Sequence, residues 1–155
     1  MRLSNLADYA VVMLAAAARA ADGRLNATCL AEETGVPLPT AQKLVGRLAT
    51  AGLLISSRGT GGGFRLARTP DRISLAEIVE AVEGPIALTS CVDQGRHDCA
   101  LDHHCLVKPH WGAVNDALRG ALENVSLAAL CAPAGDRGLD RGAPAIAPVG
   151  VGVIS

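Results

Sequence analysis

Residues 37–67 read PLPTAQKLVGRLATAGLLISSRGTGGGFRLA, and the fold is decided here. A residue before proline avoids the helical region, and proline favours a helix's first turn. Pro37-Leu38-Pro39 therefore predicts a tight turn followed by a helix. That helix should run from about Pro39 to Ala51 and close at Gly52. Ala41, Leu44, Val45, Leu48 and Ala49 recur at steps of three and four, one buried stripe. Thr40, Lys43, Arg47 and Thr50 fall on the opposite face. Leu53-Leu54-Ile55 and Phe64-Arg65-Leu66-Ala67 read as two short strands. Between them Arg58-Gly59-Thr60-Gly61-Gly62-Gly63 has the low bulk of a loop that turns tightly or lies close to another backbone.

Upstream, a first helix is expected from about Ser4 to Ala21, capped by Ser4 or Asn5 and stopped by Gly23. Thr28 is the expected cap of a short second helix ending at Gly35. Downstream, Ser74-Leu75-Ala76-Glu77 is a capping box that opens a fourth helix, ending at Gly84-Pro85. A long helix begins near Pro109, where Trp111, Val114, Leu118, Ala121 and Val125 form a seam suited to a second copy of the chain. The organisation predicted is a DNA-binding domain over 1–84, a cysteine-rich loop over 85–108, a dimerisation helix over 109–131 and a disordered tail over 132–155, rich in Ala, Gly and Pro. The fold class is mainly α: a winged helix-turn-helix with a two-stranded wing and a long C-terminal helix.

Charge supports that division. The 155 residues carry a net charge of −1, but residues 1–70 hold eight Lys/Arg against four Asp/Glu. The remainder holds six against eleven, so a basic half is joined to an acidic one. The outward face of the third helix carries Thr40, Gln42, Lys43 and Arg47, all expected to contact DNA, and its end from Pro39 to Lys43 is where such a helix reaches base edges. Arg58 and Arg65 on the hairpin can neutralise phosphates or enter the minor groove. GTGGG is no phosphate loop, because it lacks the Lys-Ser/Thr ending and joins strand to strand. Paired carboxylates, a nucleophile elbow and a dinucleotide fingerprint are absent, so no enzyme is predicted. The apolar run Ala10 to Ala18 is far shorter than the ~20 residues of a membrane span. A cytoplasmic protein is expected, in which five cysteines serve as ligands or sensors rather than disulfides.

Cys91, Cys99 and Cys105 are spaced C-x7-C-x5-C, three thiols that can converge on one centre. Zinc sites more often use C-x2-C pairs, and wider spacing suits an iron–sulfur cluster. The alternatives are a zinc site completed by His97, His103 or His104, a thiol-redox switch, or three unrelated thiols. Cys29 reads as a small core residue, and Cys131 is given no role.

MRLSNLADYA, GVPLPTAQKLVGRLATAGLLISSRGTGGGFRLAR and ISLAEIVEAVEGPIALTSC, with the cysteines that follow, closely resemble iron–sulfur winged-helix regulators of the IscR, RirA and NsrR type. The nearest likeness is to regulators of SUF-system cluster assembly, and it covers residues 1–131. The resemblance implies a homodimer on double-stranded operator DNA, most simply a repressor of cluster-assembly or iron-responsive genes. It places Pro39, Thr40, Gln42, Lys43, Arg58, Gly59 and Thr60 at the DNA and Cys91, Cys99 and Cys105 on the cluster. Two-iron relatives have a histidine three residues beyond the last cysteine, where this chain has Lys108. A four-iron relative uses an N-terminal aspartate reached across the dimer, which maps to Asp8. A 4Fe-4S cluster is therefore favoured over 2Fe-2S, with Asp8, or else His103 or His104, as fourth ligand.

Overall fold

Ser4 is extended, and its side chain accepts from the Ala7 amide, which starts α1 (Asn5–Arg19). Asn26 does the same for α2 (Ala27–Thr34), accepting from the Cys29 amide at 2.7 Å. The expected cap was Thr28, but Asn26 also prefers the cap position and lies two residues earlier, so Thr28 is already helical. Gly35, left-handed at φ 75°, ends α2, and three residues later the chain is in α3 (Leu38–Thr50). A computed structural model provides this description for residues 3–20, 25–59, 61–92, 99 and 104–133.

The predicted stripe of α3 is the buried one: Ala41, Leu44, Val45 and Leu48 face the core. There they meet Met13 and Leu14 of α1, Leu30 of α2, Leu53, Ile73 and Ile78, so Leu44→Ala should cost about 2–5 kcal/mol. β1 (Leu54–Ser57) and β2 (Gly63–Leu66) form the antiparallel wing, Leu54 opposite Leu66 and Ser57 opposite Gly63. Leu25 adds an isolated antiparallel bridge to β2, exchanging backbone bonds with Phe64 at 2.9 and 2.7 Å. A single 3-10 turn at Pro70–Arg72 leads into α4 (Leu75–Glu83), whose Ser74–Glu77 capping box forms as predicted. Arg68 reaches the same Glu77 carboxylate at 2.7 Å.

α5 spans Lys108–Glu123, and here the chain departs from the long helix expected. Ser126 is extended (φ −85°, ψ 156°) and caps a separate helix, α6 (Leu127–Cys131). The backbone breaks because it has a better partner: Leu75 N–H donates to Val125 C=O, and Leu127 N–H to Ile73 C=O, both at 2.8 Å. Leu127 is thereby driven fully into the core formed by the first four helices. Val125 is consequently not part of the α5 face. Of the tail expected over 132–155, residues 134–155 lie outside the described residues.

Candidate functional site

Two regions carry the chemistry. In the first, α2, the Gly35–Pro37 turn and α3 form the helix-turn-helix, and the wing follows directly. Pro39, Gln42 and Lys43 are exposed on α3, and Thr40 is half-buried beside them. Arg58, Gly59 and Arg65 are exposed on the wing. Gly59 has φ 102°, which a side chain rarely adopts, so the tip's tight turn needs glycine there. At Gly62 the need is steric: a Cβ would lie 2.5 Å from the Ser57 carbonyl oxygen and 2.8 Å from that of Gly59. Thr60 lies outside the described residues.

Arg47 behaves differently from the rest of its face. Its Nη1 donates to the Val82 carbonyl at 2.7 Å, filling an acceptor in the last turn of α4. Its charge is thus held against α4. The end of α4 gathers further ties, because the Ser4 amide donates to the Glu83 carboxylate at 2.9 Å and Arg119 of α5 donates to Glu80 at 2.9 Å. Arg119 also pairs with Glu123. α3, α1 and α5 all meet at one helix end.

The second region begins at that end. Gly84, at φ 91°, turns the chain into 85–92, and Asn115 catches it. Asn115 Nδ2 donates to Ile86 C=O at 2.9 Å, and its Oδ1 accepts from Leu88 N–H at 3.0 Å. It is 8% exposed, the one buried polar residue among those described, and both its polar ends are satisfied. Sequence reasoning missed it, yet the signal existed: an Asn stands among Trp111, Leu118 and Leu122 on the helix face that turns inward. Trp111 lines a cavity of about 570 Å³ with Leu3, Val79, Ile86 and Leu88. Leu118 and Leu122 pack on Ala76, Val79 and Ile86.

Three residues beyond Leu88 stands Cys91, its Sγ 3.0 Å from the Thr89 hydroxyl. Cys105 precedes α5 by three residues, and its carbonyl accepts from the Lys108 amide at 3.4 Å. Cys91, Cys99 and Cys105 are all half-buried free thiols. Their soft donor set fits an iron–sulfur cluster, and fits zinc less well for want of a close pair. Among the described residues no three of His, Cys, Asp and Glu already converge on a metal position. Asp8 is exposed in the first turn of α1 and His104 is exposed in a turn beside Cys105; His97 and His103 lie outside the described residues.

The other two cysteines separate clearly. Cys29 is exposed on α2, not in the core as expected, because the buried position there belongs to Leu30. Burial pushes the Cys131 thiol up, against a smaller opposing pull from Arg19, so it is a weak ligand.

Residues 3–133 match the family described as "Rrf2: Iron-dependent Transcriptional regulator". The chain belongs to the Rrf2 family. It is 34% identical over 131 residues to the HTH-type transcriptional regulator IscR of Photobacterium profundum, covering 84% of this chain and 75% of that one. Among solved structures, T. potens IscR is 26% identical with a TM-score of 0.61, covering 83% of this chain and 84% of its own. Oxidized Staphylococcus aureus CymR is 27% identical with a TM-score of 0.61, covering 86% and 98%. The predicted winged-helix class and the IscR-type resemblance therefore hold, and this Rrf2 protein is a transcription regulator rather than an enzyme. No helix among the described residues is long and apolar enough to cross a membrane.

Proposed function

We propose that this Rrf2 protein is a cytoplasmic homodimeric repressor that senses cellular status through an iron–sulfur cluster on Cys91, Cys99 and Cys105. Its targets are genes of cluster assembly or iron response. The observation that carries the reading is the placement of the thiols: the segment bearing them leaves α4 at the point where Arg47 ties α4 to α3. Pro39, Thr40, Gln42 and Lys43 would face the major groove, with Arg58, Gly59 and Thr60 on the backbone or minor groove.

A bound cluster supplies an iron-dependent, oxidation-sensitive centre of fixed size. The chain's own part is mechanical. Asn115 holds the start of the cysteine segment, and the Val82 carbonyl passes any shift of α4 to Arg47 and so to α3. Loaded and empty forms would thus differ in operator affinity, the two states that an allosteric claim requires. Asp8 of a second copy is the favoured fourth ligand of a 4Fe-4S cluster, with His103 or His104 the alternatives.

The dimer would form on α5, on a face partly different from the seam expected. Trp111 and Leu118 turn toward the chain's own core, whereas Val114, Ala117 and Ala121 stay exposed at three- and four-residue steps.

Iron and sulfide counts on anaerobically purified protein test the cluster. The wild type should be brown, and Cys91→Ala, Cys99→Ala and Cys105→Ala should each lose the visible absorbance. Asp8→Ala should load but bleach faster in air, because a carboxylate is the most exchangeable ligand of the set. Full cluster in Cys99→Ala would refute the three-cysteine site. A second reading, structural zinc or a thiol switch, draws support from the similarity to a CymR solved in an oxidized form; it predicts colourless protein.

A further inference from the structure

We propose that Leu38 determines operator specificity by packing its exposed side chain on the 5-methyl group of a thymine in the major groove. The inference rests on the DNA-binding reading above and adds a residue and a base to it. Leu38 is the first residue of α3 and 38% exposed, although the rest of the helix buries its large apolar side chains. Its neighbours Pro37 and Pro39 are exposed as well, so the tip of α3 is an apolar knob. Both prolines fix φ, and the helix starts at Pro37 without a side-chain cap. Little backbone freedom is therefore left at Leu38 to lose on binding.

Position and charge select the occupant. The side chains at 38 and 42 are four residues apart, so they lie on one face of α3. Gln42 and Lys43 on that exposed surface, with Arg58 and Arg65 on the wing, suit a polyanion rather than an apolar protein groove. Within a polyanionic duplex the apolar feature open to a helix in the major groove is the thymine methyl, and glutamine pairs with adenine N6 and N7. Leu38 and Gln42 together therefore predict a thymine next to an adenine in the operator.

The probe is a duplex enriched by the wild-type protein from a random-sequence pool, with each thymine replaced in turn by deoxyuridine, which removes only the methyl group. At one position the wild type should lose about three- to fourfold in affinity, the worth of one buried methyl. Cytosine-to-5-methylcytosine replacement elsewhere should have no such effect. Leu38→Ala should bind the thymine duplex more weakly by a similar factor and fail to distinguish it from the deoxyuridine duplex. Binding to random DNA should be unchanged in that variant. If no thymine-to-deoxyuridine replacement alters wild-type binding, or if Leu38→Ala keeps the full methyl preference, the proposal is overturned while DNA binding stands. If the pool yields no enriched duplex, the DNA-binding reading falls with it.

Discussion

At Glu77 one carboxylate serves three partners: the Ser74 amide, the Ser74 hydroxyl and Arg68. Its partial burial would raise its pKa, but the bonds from Ser74 and Arg68 outweigh that and hold it below the ordinary 4.5. A carboxylate depressed in the folded state contributes stability at pH above its unfolded value, lost as pH falls through the folded one. Melting temperature should therefore drop more steeply below about pH 4.5 in the wild type than in Glu77→Gln. At neutral pH that variant should lose little stability, because glutamine still accepts from the Ser74 amide and only the exposed charge pair with Arg68 is given up. Equal slopes on the acid side would show that Glu77 is not the titrating group. Individual residues were unevenly legible in the sequence. The capping box was readable because both its members are local, whereas the roles of Asn115 and Arg47 depend on backbone carbonyls 29 and 35 residues away.

Among the elements, α3 and α4 and the wing follow the sequence closely, since periodicity, caps and glycines all point the same way. The break between α5 and α6 was hidden in part: Ser126 is a good cap in its own right, but what ends α5 is the backbone bridge that Ile73 and Leu75 offer its neighbours, and that pairing is long-range. The wing's tip makes a sharp element-level test. Gly62→Ala would force the Ser57 and Gly59 carbonyls aside, so operator affinity should fall several-fold with little change in melting temperature, because the tip lies away from the core. Titration of a labelled operator duplex measures it. Arg47, expected from its place on α3 to touch DNA, donates to the Val82 carbonyl instead, so Arg47→Ala should act at a distance and blunt the difference in affinity between loaded and empty protein. If Arg47 instead touches phosphate, that variant will weaken both forms equally and flatten the salt dependence.

For the whole molecule, α5 packs on its own α4 and, in the dimer proposed above, would also meet a second copy. Leu118, a natural choice from sequence for breaking a dimer, packs inside its own chain and would confuse unfolding with dissociation. Val114, 48% exposed, is the cleaner position. Val114→Asp should yield a folded monomer by light scattering, with unchanged helicity and much weaker operator binding; an intact dimer would move the interface elsewhere. The central claim joins the cysteine segment to the DNA-facing surface, and one measurement addresses it directly: operator affinity of a single anaerobic preparation, titrated before and after an iron chelator strips the visible absorbance. Affinity should change at least several-fold in wild type and not at all in Cys99→Ala. Identical affinity in the coloured and bleached wild-type samples would contradict it.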